Sequence, residues 1–149
     1  MKKLLVFSML CLMAFTMNAQ SYVDLGLSSG TKWKSANEKG FYSYSSAMSN
    51  FGGNLPSCEQ WVELLHECEW TWSGMGYKVV GPNGNFISLP AAGVRDCDGY
   101  VSDVGFHGYY WSSTPYDSVN VYHLILYSGE ANMSYANRCN GLSVRLVQN

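Results

Sequence analysis

Charged residues are scarce in this sequence, and their scarcity excludes several classes of protein. Only 13% of the 149 residues are charged, against roughly 25% in an average soluble domain. Nine basic residues stand against eleven acidic ones, so the chain lacks the basic surface that a nucleic-acid partner requires. Disordered chains combine high charge with low hydrophobicity, whereas 47% of this chain is hydrophobic. The composition therefore indicates a compact domain with a weakly charged surface.

The motifs of common enzymes and metal sites are also missing. The sequence contains no H-E-x-x-H, no G-x-S-x-G and no phosphate-binding loop. His66, His107 and His123 lie far apart in the chain, and no two cysteines form a C-x-x-C pair. This spacing supports neither a zinc site nor a catalytic cysteine–histidine pair. We therefore expect a protein without catalytic activity and without a cofactor.

Aromatic residues are plentiful instead, at 15% of the chain with 11 tyrosines and 5 tryptophans. Residues 109–140 interleave tyrosine with serine and asparagine. This composition is typical of binding loops, because tyrosine supplies contact area at a low cost in conformational entropy. In the predicted strand 121–127, alternation buries the leucines and leaves His123, Ile125 and Tyr127 exposed. We predict a loop face that binds a ligand through Tyr116, Asp117, Asn120, His123, Tyr127, Asn132 and Tyr135.

Residues 1–19 have the pattern of a secretory signal peptide. Lys2 and Lys3 precede an apolar run over 4–17, and Ala19 is a small residue suited to the cleavage site. The run is shorter than the roughly 20 apolar residues of a membrane span. We therefore expect export, to the periplasm, the cell surface or the medium, without membrane insertion after cleavage. A retained anchor and a lipid-modified Cys11 are the alternatives.

Four cysteines follow the predicted signal peptide, and export permits them to form disulfides. Three full pairings are compatible with four cysteines. Cys58 and Cys68 flank one predicted helix, and ten helical residues span about 15 Å, too far for a disulfide. Cys97 and Cys139 both lie in polar, turn-like segments, so they are the first pair to test. The sequence Asp96-Cys97-Asp98-Gly99 resembles a calcium-loop fragment, but Asp-Gly is also typical of an ordinary turn. We expect the turn, with calcium as the weaker alternative.

Hydrophobic periodicity predicts strands first, then two helices, then more strands. Ser57 and Gln60 form the pattern of a capping box at the start of the second helix, with Glu59, Glu63 and Glu67 along its solvated face. This order of elements favours an α+β fold with an antiparallel sheet. The predicted strands are 22–25, 31–35, 77–80, 85–89, 121–127 and 142–147, and the predicted helices are 43–51 and the segment after Ser57.

Five ordered segments resemble the Fibrobacter succinogenes major paralogous domain, a family of secreted Bacteroidetes proteins. The first is Tyr-Val-Asp-Leu-Gly-Leu-Ser-Ser-Gly-Thr-Lys-Trp at 22–33, and the second is Leu-Pro-Ser at 55–57. The others are Gly-Pro-Asn-Gly at 81–84 with Leu-Pro-Ala-Ala-Gly at 89–93, Gly-Tyr-Tyr-Trp-Ser-Ser-Thr at 108–114, and Gly-Leu-Ser-Val-Arg-Leu-Val at 141–147. They occur in the order of the family and cover essentially all of residues 20–149, which we expect to form one such domain.

The resemblance implies a C-type-lectin-like fold, with two helices packed on small twisted antiparallel sheets that carry long loops. It also implies that the five tryptophans build the core and that Arg145 is partly buried, bonding to nearby carbonyls. The sequence departs from the family by lacking the long insertion after Trp33. It also lacks the Glu-Pro-Asn and Trp-Asn-Asp motifs through which true C-type lectins bind sugars with calcium.

Three functions are consistent with these expectations. The leading one is a secreted or surface-exposed binding module for an extracellular protein or glycan. The second is a degenerate oxidoreductase related to formylglycine-generating enzymes, which would need two reactive cysteines close together. The third is a structural or tip subunit of a surface adhesin assembly, which would associate through an exposed strand edge.

Overall fold

The computed structural model describes residues 21–149, and the predicted signal peptide over 1–19 lies outside them. The elements are β1 (Tyr22–Asp24), β2 (Lys32–Lys34), α1 (Tyr44–Phe51), α2 (Cys58–Glu67), β3 (Glu69–Trp72), β4 (Gly76–Val80), β5 (Phe86–Pro90), β6 (Val94–Arg95), β7 (Val101–Ser102), β8 (His107–Pro115), β9 (Asn120–Tyr127), β10 (Glu130–Asn137) and β11 (Val147–Gln148).

These strands form three three-stranded sheets, ordered β1-β2-β11, β3-β4-β5 and β10-β9-β8, and a two-stranded β6-β7 ribbon. Every strand pairing is antiparallel. The α+β class is therefore confirmed.

A serine caps each helix, and the capping box that the sequence predicted for the second helix is confirmed. The Ser43 side chain accepts a hydrogen bond from the amide of Ser46, and α1 ends at Gly52. At α2, Ser57 and Gln60 bond reciprocally as a capping box, which satisfies two amides that the helix itself leaves free. Neither of these helices, nor any other in residues 21–149, is long and apolar enough to cross a membrane.

The acidic row on α2 is not simply solvated, as the periodicity predicted. Glu59 is exposed, but Glu63 accepts a hydrogen bond from the amide of Ser29, and Glu67 accepts one from the amide of Ser28, both at 2.9 Å. Hydrogen bonds from the side chain and the amide of Ser28 lower the pKa of Glu67. The two carboxylates thus fasten the turn between β1 and β2 to the helix. Helical periodicity cannot foresee this contact, because the turn lies more than thirty residues away in the chain.

The C-terminal segment differs from its predicted strand over 142–147. Only its last residue, Val147, belongs to a ladder, where β11 pairs with β2. The preceding residues are buried and extended, but their hydrogen bonds alternate between two neighbours. Ser143 bonds to Tyr109 and Trp111 on one side, and Leu142 bonds to Tyr42 on the other. The segment is therefore a buried connector between elements and not one edge of a sheet.

The core consists of two clusters of buried side chains, and the tryptophans contribute to it unequally. Trp33 and Trp61 lie in the larger cluster and Trp111 in the smaller one, all without exposed surface. Trp70 and Trp72 are half-buried and pack against the edge of the larger cluster. The expectation of five core tryptophans thus holds fully for three of them.

Arg145 is buried in the C-terminal segment with 1% of its surface exposed. Its guanidinium donates to the carbonyl of Lys34 in β2 at 3.1 Å, to the carbonyl of Ser88 in β5 at 2.6 Å and to Oδ1 of Asn37 at 2.8 Å. Burial lowers the pKa of Arg145 to about 10. This confirms the role that the family resemblance implied for Arg145, and the burial is more complete than expected.

A disulfide joins Cys97 and Cys139, the pair that the sequence favoured. Cys97 lies in the turn between β6 and β7, and Cys139 follows the end of β10. The bond therefore ties the β6–β7 ribbon to the far end of the largest sheet. Cys58 and Cys68 remain free.

We expect replacement of Arg145 by methionine to lower the free energy of unfolding by about 3 kcal/mol. The substitution leaves two carbonyls and an amide oxygen without their buried donor, and each unsatisfied group is costly. Arg145→Lys should lower the free energy of unfolding by less, because lysine keeps the positive charge but cannot form all three hydrogen bonds. Urea unfolding measures both, with Lys32→Met as the exposed control. A loss below about 1 kcal/mol for Arg145→Met would contradict the role assigned to this side chain.

Removal of the disulfide by the double change Cys97→Ala and Cys139→Ala should also destabilise the protein. The two residues are 42 positions apart, and the loop-entropy relation gives about 4 kcal/mol for a loop of this length. Urea unfolding under oxidising and reducing conditions measures the effect. The wild type should lose stability on reduction, whereas the double variant should be indifferent to the reductant. If reductant changed the stability of both proteins equally, the disulfide would contribute nothing to stability.

Candidate functional site

The predicted ligand residues occupy two opposite faces of the β8-β9-β10 sheet. Tyr135 is the register partner of Tyr122, and Ser134 is the partner of His123. Because side chains alternate along a strand, Tyr135 shares a face with Tyr122, whereas Tyr127 and Asn132 lie on the face of His123. The prediction of a single loop face is therefore wrong, since most of these residues lie on strands.

Three tyrosines form a cluster on the first face, which we call the tyrosine stack: Tyr116, Tyr122 and Tyr135. The rings of Tyr116 and Tyr135 are parallel, with 4.1 Å between centroids and an interplanar angle of 3°. The ring of Tyr122 meets that of Tyr116 edge-on at 5.2 Å. Tyr116 is 47% exposed and Tyr135 is 51% exposed. The stack thus presents aromatic surface to solvent in a fixed geometry.

Asp117 and Asn120 hold this stack in place. The Asp117 carboxylate accepts from the amides of Val119 and Asn120, each at 2.7 Å, and from the Asn120 side chain at 3.1 Å. These bonds lower the pKa of Asp117. The amide of Tyr116 donates to the carbonyl of Asn120 at 3.0 Å. Asp117 and Asn120, both predicted to bind the ligand, therefore form hydrogen bonds within the turn that positions Tyr116.

His123 is buried on the second face, with 4% of its surface exposed, so its predicted exposure is wrong. The reason is that β9 is the central strand and both of its faces are covered along most of its length. Leu124 and Leu126 pack into the larger core cluster, while Trp111 lies 6.5 Å from the His123 ring on the other side. Burial lowers the pKa of His123, although its Nδ1 lies 3.1 Å from the Leu124 carbonyl. Ile125 and Tyr127 are half-buried.

Tyr127 and Asn132 converge on a single carboxylate at the tip of the β9–β10 hairpin. The Tyr127 hydroxyl and the Asn132 amide both donate to Glu130. The hydrogen bond to Glu130 raises the pKa of Tyr127. This group is separate from the tyrosine stack and lies on the opposite face of the sheet.

The sequence interpretation missed an apolar surface on and beside the β6–β7 ribbon. Its members are all more than half exposed: Tyr100 at 74%, Phe106 at 72%, Val104 at 58% and Val101 at 53%. They occur within seven residues among Asp-Gly and other turn positions. Four large apolar residues so close together indicate such a surface in the sequence, but the turn residues among them had favoured a polar loop.

The acidic residues near this ribbon serve its turn. Asp96 accepts from the amide of Asp98 at 2.9 Å and from that of Tyr100 at 3.0 Å, which is the geometry of an Asx turn. Asp103 lies further on and accepts from the Tyr109 hydroxyl at 3.0 Å. Within residues 21–149, no group of three or more histidine, cysteine or acidic side chains is arranged to hold a metal ion.

The two free cysteines lie apart, at the two ends of α2. Burial is the main cause that raises the pKa of each thiol, to about 11 for Cys68. Cys68 also borders a cleft of about 330 Å³ lined by Leu65, Trp70, Tyr77 and the hairpin residues 129–131. A thiol with a raised pKa is mostly protonated at neutral pH and is therefore a poor nucleophile.

Residues 80–147 match the model of a domain of unknown function, DUF8237. The matched segment runs from the end of β4 to the start of β11 and contains the disulfide, the β6–β7 ribbon and the tyrosine stack. No curated protein and no solved structure matches the chain.

We expect His123 to make the protein less stable in mild acid. Its pKa in the folded state is below the ordinary value of 6.5, so below pH 6.5 the unfolded chain binds the proton more strongly. Stability is therefore fully present above about pH 7 and falls with decreasing pH until the folded-state pKa is reached, by at most about 1.4 kcal/mol per pH unit.

The comparison of urea unfolding at pH 7.5 and pH 5 measures this effect. His123→Phe should remove the loss of stability that protonation of His123 causes between these two pH values. His66→Phe, at an exposed position on α2, should retain that loss. An unchanged pH dependence in His123→Phe would assign the acid sensitivity to other groups.

Proposed function

We propose that this protein is an exported, non-catalytic binding module that recognises an extracellular protein or glycan through exposed aromatic side chains. The tyrosine stack is the observation that carries the proposal. Two tyrosines with about half of their surface exposed are already fixed against each other before any ligand arrives. A ligand that contacts them therefore incurs little of the ordering cost that flexible side chains impose on binding.

The surroundings of the stack favour aromatic contact over electrostatic attraction. Asp117 is satisfied by its own turn, and Arg138 donates to the Asp117 carbonyl and lies over the ring of Tyr44 at 5.0 Å. The charges nearest to the stack are thus engaged within the protein. We therefore expect a ligand whose contact region is neutral or weakly charged.

The family resemblance supports the same proposal. The Fibrobacter succinogenes major paralogous domain implies a C-type-lectin-like fold, and the two helices with several small antiparallel sheets are compatible with it. The buried Arg145 also agrees with the role that the resemblance gave it. Export rests on the predicted signal peptide, and the disulfide is compatible with an oxidising compartment.

The oxidoreductase alternative gains no support from the cysteines of residues 21–149. It needs two reactive thiols side by side, whereas Cys97 and Cys139 are joined and the two free cysteines lie at opposite ends of α2. The binding module is therefore the better account of these residues.

The proposal is tested with a glycan array and a pull-down of extracellular proteins, using wild type, Tyr116→Ala and Tyr135→Ala. Each substitution should weaken binding by at least about tenfold, as expected for a central aromatic contact. Tyr100→Ala is the matched control, since it removes an exposed tyrosine from the β6–β7 ribbon. Binding should also change less than about threefold between 50 and 500 mM salt, because few charges take part.

Two results would overturn this assignment. Binding that survives both substitutions in the stack but fails in Tyr100→Ala would place the site on the ribbon. A steep dependence on salt would show that charged groups dominate recognition.

A further inference from the structure

The β10 strand lies at the edge of its sheet, and within residues 21–149 no further strand pairs with its outer side. It is eight residues long, pairs with β9 without a register break, and contains no lysine, no proline and no bulge. Protein edges normally carry such features because a bare edge pairs with other strands. The opposite edge of this sheet is covered, since β8 bonds to Ser143 and to Gly93.

The hydrogen bonds of β8 fix which backbone groups of β10 face outward. The amide of Trp111 and the carbonyl of Tyr109 both bond to Ser143, so the odd-numbered residues of β8 point away from β9. Even-numbered residues therefore join β8 to β9, with Tyr110 opposite Leu124. The backbone N–H and C=O groups of successive residues point to opposite sides of a strand. Odd-numbered residues of β9 therefore bond to even-numbered residues of β10.

The outward groups of β10 consequently belong to Ala131, Met133, Tyr135 and Asn137. No amide among the first three donates to a backbone or side-chain acceptor in residues 21–149. The Asn137 carbonyl already accepts from the amide of Asn140, and the Asn137 side chain accepts from the amide of Cys139. The edge thus offers a run of backbone donors and acceptors at the spacing of a strand ladder.

The sequence of this strand is complementary to itself when two copies run antiparallel. A two-fold axis at Ser134 places Ala131 opposite Asn137 of the second copy and Met133 opposite Tyr135, so the outward residues of the two copies face one another in pairs. Continued one residue past the end of β10, the same register sets Glu130 opposite Arg138 of the second copy. Shifting the axis to either neighbouring residue separates these charges, so the register at Ser134 is the favoured one.

The side chain of Arg138, the residue after β10, is only partly bonded within the protomer. Its Nε is buried and makes no hydrogen bond to residues 21–149, although another nitrogen of the same guanidinium reaches the Asp117 carbonyl. Arg138 as a whole is half-buried, so a carboxylate of a second copy would meet the exposed part of this side chain and not its buried Nε.

We propose that β10 is a homodimer interface, in which two copies of this chain join their β8-β9-β10 sheets antiparallel about Ser134 into one six-stranded sheet. This goes beyond the proposed binding function and does not depend on it. Two-fold pairing of identical edges is a closed arrangement, because it leaves no free copy of the edge for further growth. It would also bring two tyrosine stacks onto one continuous face.

Sedimentation equilibrium over a range of protein concentrations tests the association. We expect a shift from the monomer mass of 16.6 kDa for the full chain, or the corresponding mass after cleavage, to twice that value. Glu130→Lys should weaken the dimer at least tenfold, because it places a cation opposite Arg138 on both sides of the axis. Glu69→Lys reverses an exposed charge on β3 and should leave the dimer unchanged.

Cysteine crosslinking tests the register independently of affinity. In a background with Cys58→Ser and Cys68→Ser, Ser134→Cys should form a disulfide-linked dimer with oxidised glutathione, because the two-fold axis sets this position against itself. Asn132→Cys and Ala136→Cys should each remain uncrosslinked alone but crosslink when mixed, since the register pairs 132 with 136.

A protein that stays monomeric at all concentrations, or a Ser134→Cys variant that crosslinks no faster than Ala136→Cys alone, overturns the proposal. Tyr116→Ala should impair ligand binding but not dimerisation, so failure of one proposal is distinguishable from failure of the other.

Discussion

The buried guanidinium of Arg145 is the contact on which the arrangement of the sheets depends. It bonds to a carbonyl of β2 and to a carbonyl of β5, and it reaches β8 through Asn37, whose side chain donates to the hydroxyl of Tyr110 at 3.1 Å. That hydroxyl in turn donates to the carbonyl of Pro90 at 2.6 Å. One cation thus links all three three-stranded sheets. A buried charge is tolerated only when such acceptors surround it, so the sheets and the arginine specify each other's positions.

This network leaves the β8-β9-β10 sheet with two distinct sides and one open edge. The network and the larger core cluster fix its inner part, while the disulfide holds the ribbon close to the end of β10. The aromatic residues that remain exposed therefore stand on a rigid support. Rigid display suits recognition through shape and aromatic contact, and the low charge of the chain agrees with a surface that does not depend on electrostatic steering.

The binding face and the strand edge would act together if both proposals hold. The tyrosine stack includes Tyr135 of β10, so pairing two β10 strands would set the two stacks side by side. A repetitive extracellular ligand, such as a glycan chain, would then contact both copies, and the second contact would gain from the high effective concentration of the first.

Local patterns in the sequence determined the capping box of α2, the positions of the strands β4, β5 and β9, the choice of Cys97 with Cys139, and the α+β class. These features depend on residues that are near in the chain or on chemistry that a single residue carries. The resemblance to a family added the expectation for Arg145. Tertiary structure alone decided that β9 is central, which buries His123, and that Glu63 and Glu67 hold a distant turn. It also placed the predicted ligand residues on two faces and left β10 at an edge. Alternation along one strand shows only that its two faces differ, because which face is covered depends on strands and helices that the chain brings together from far away.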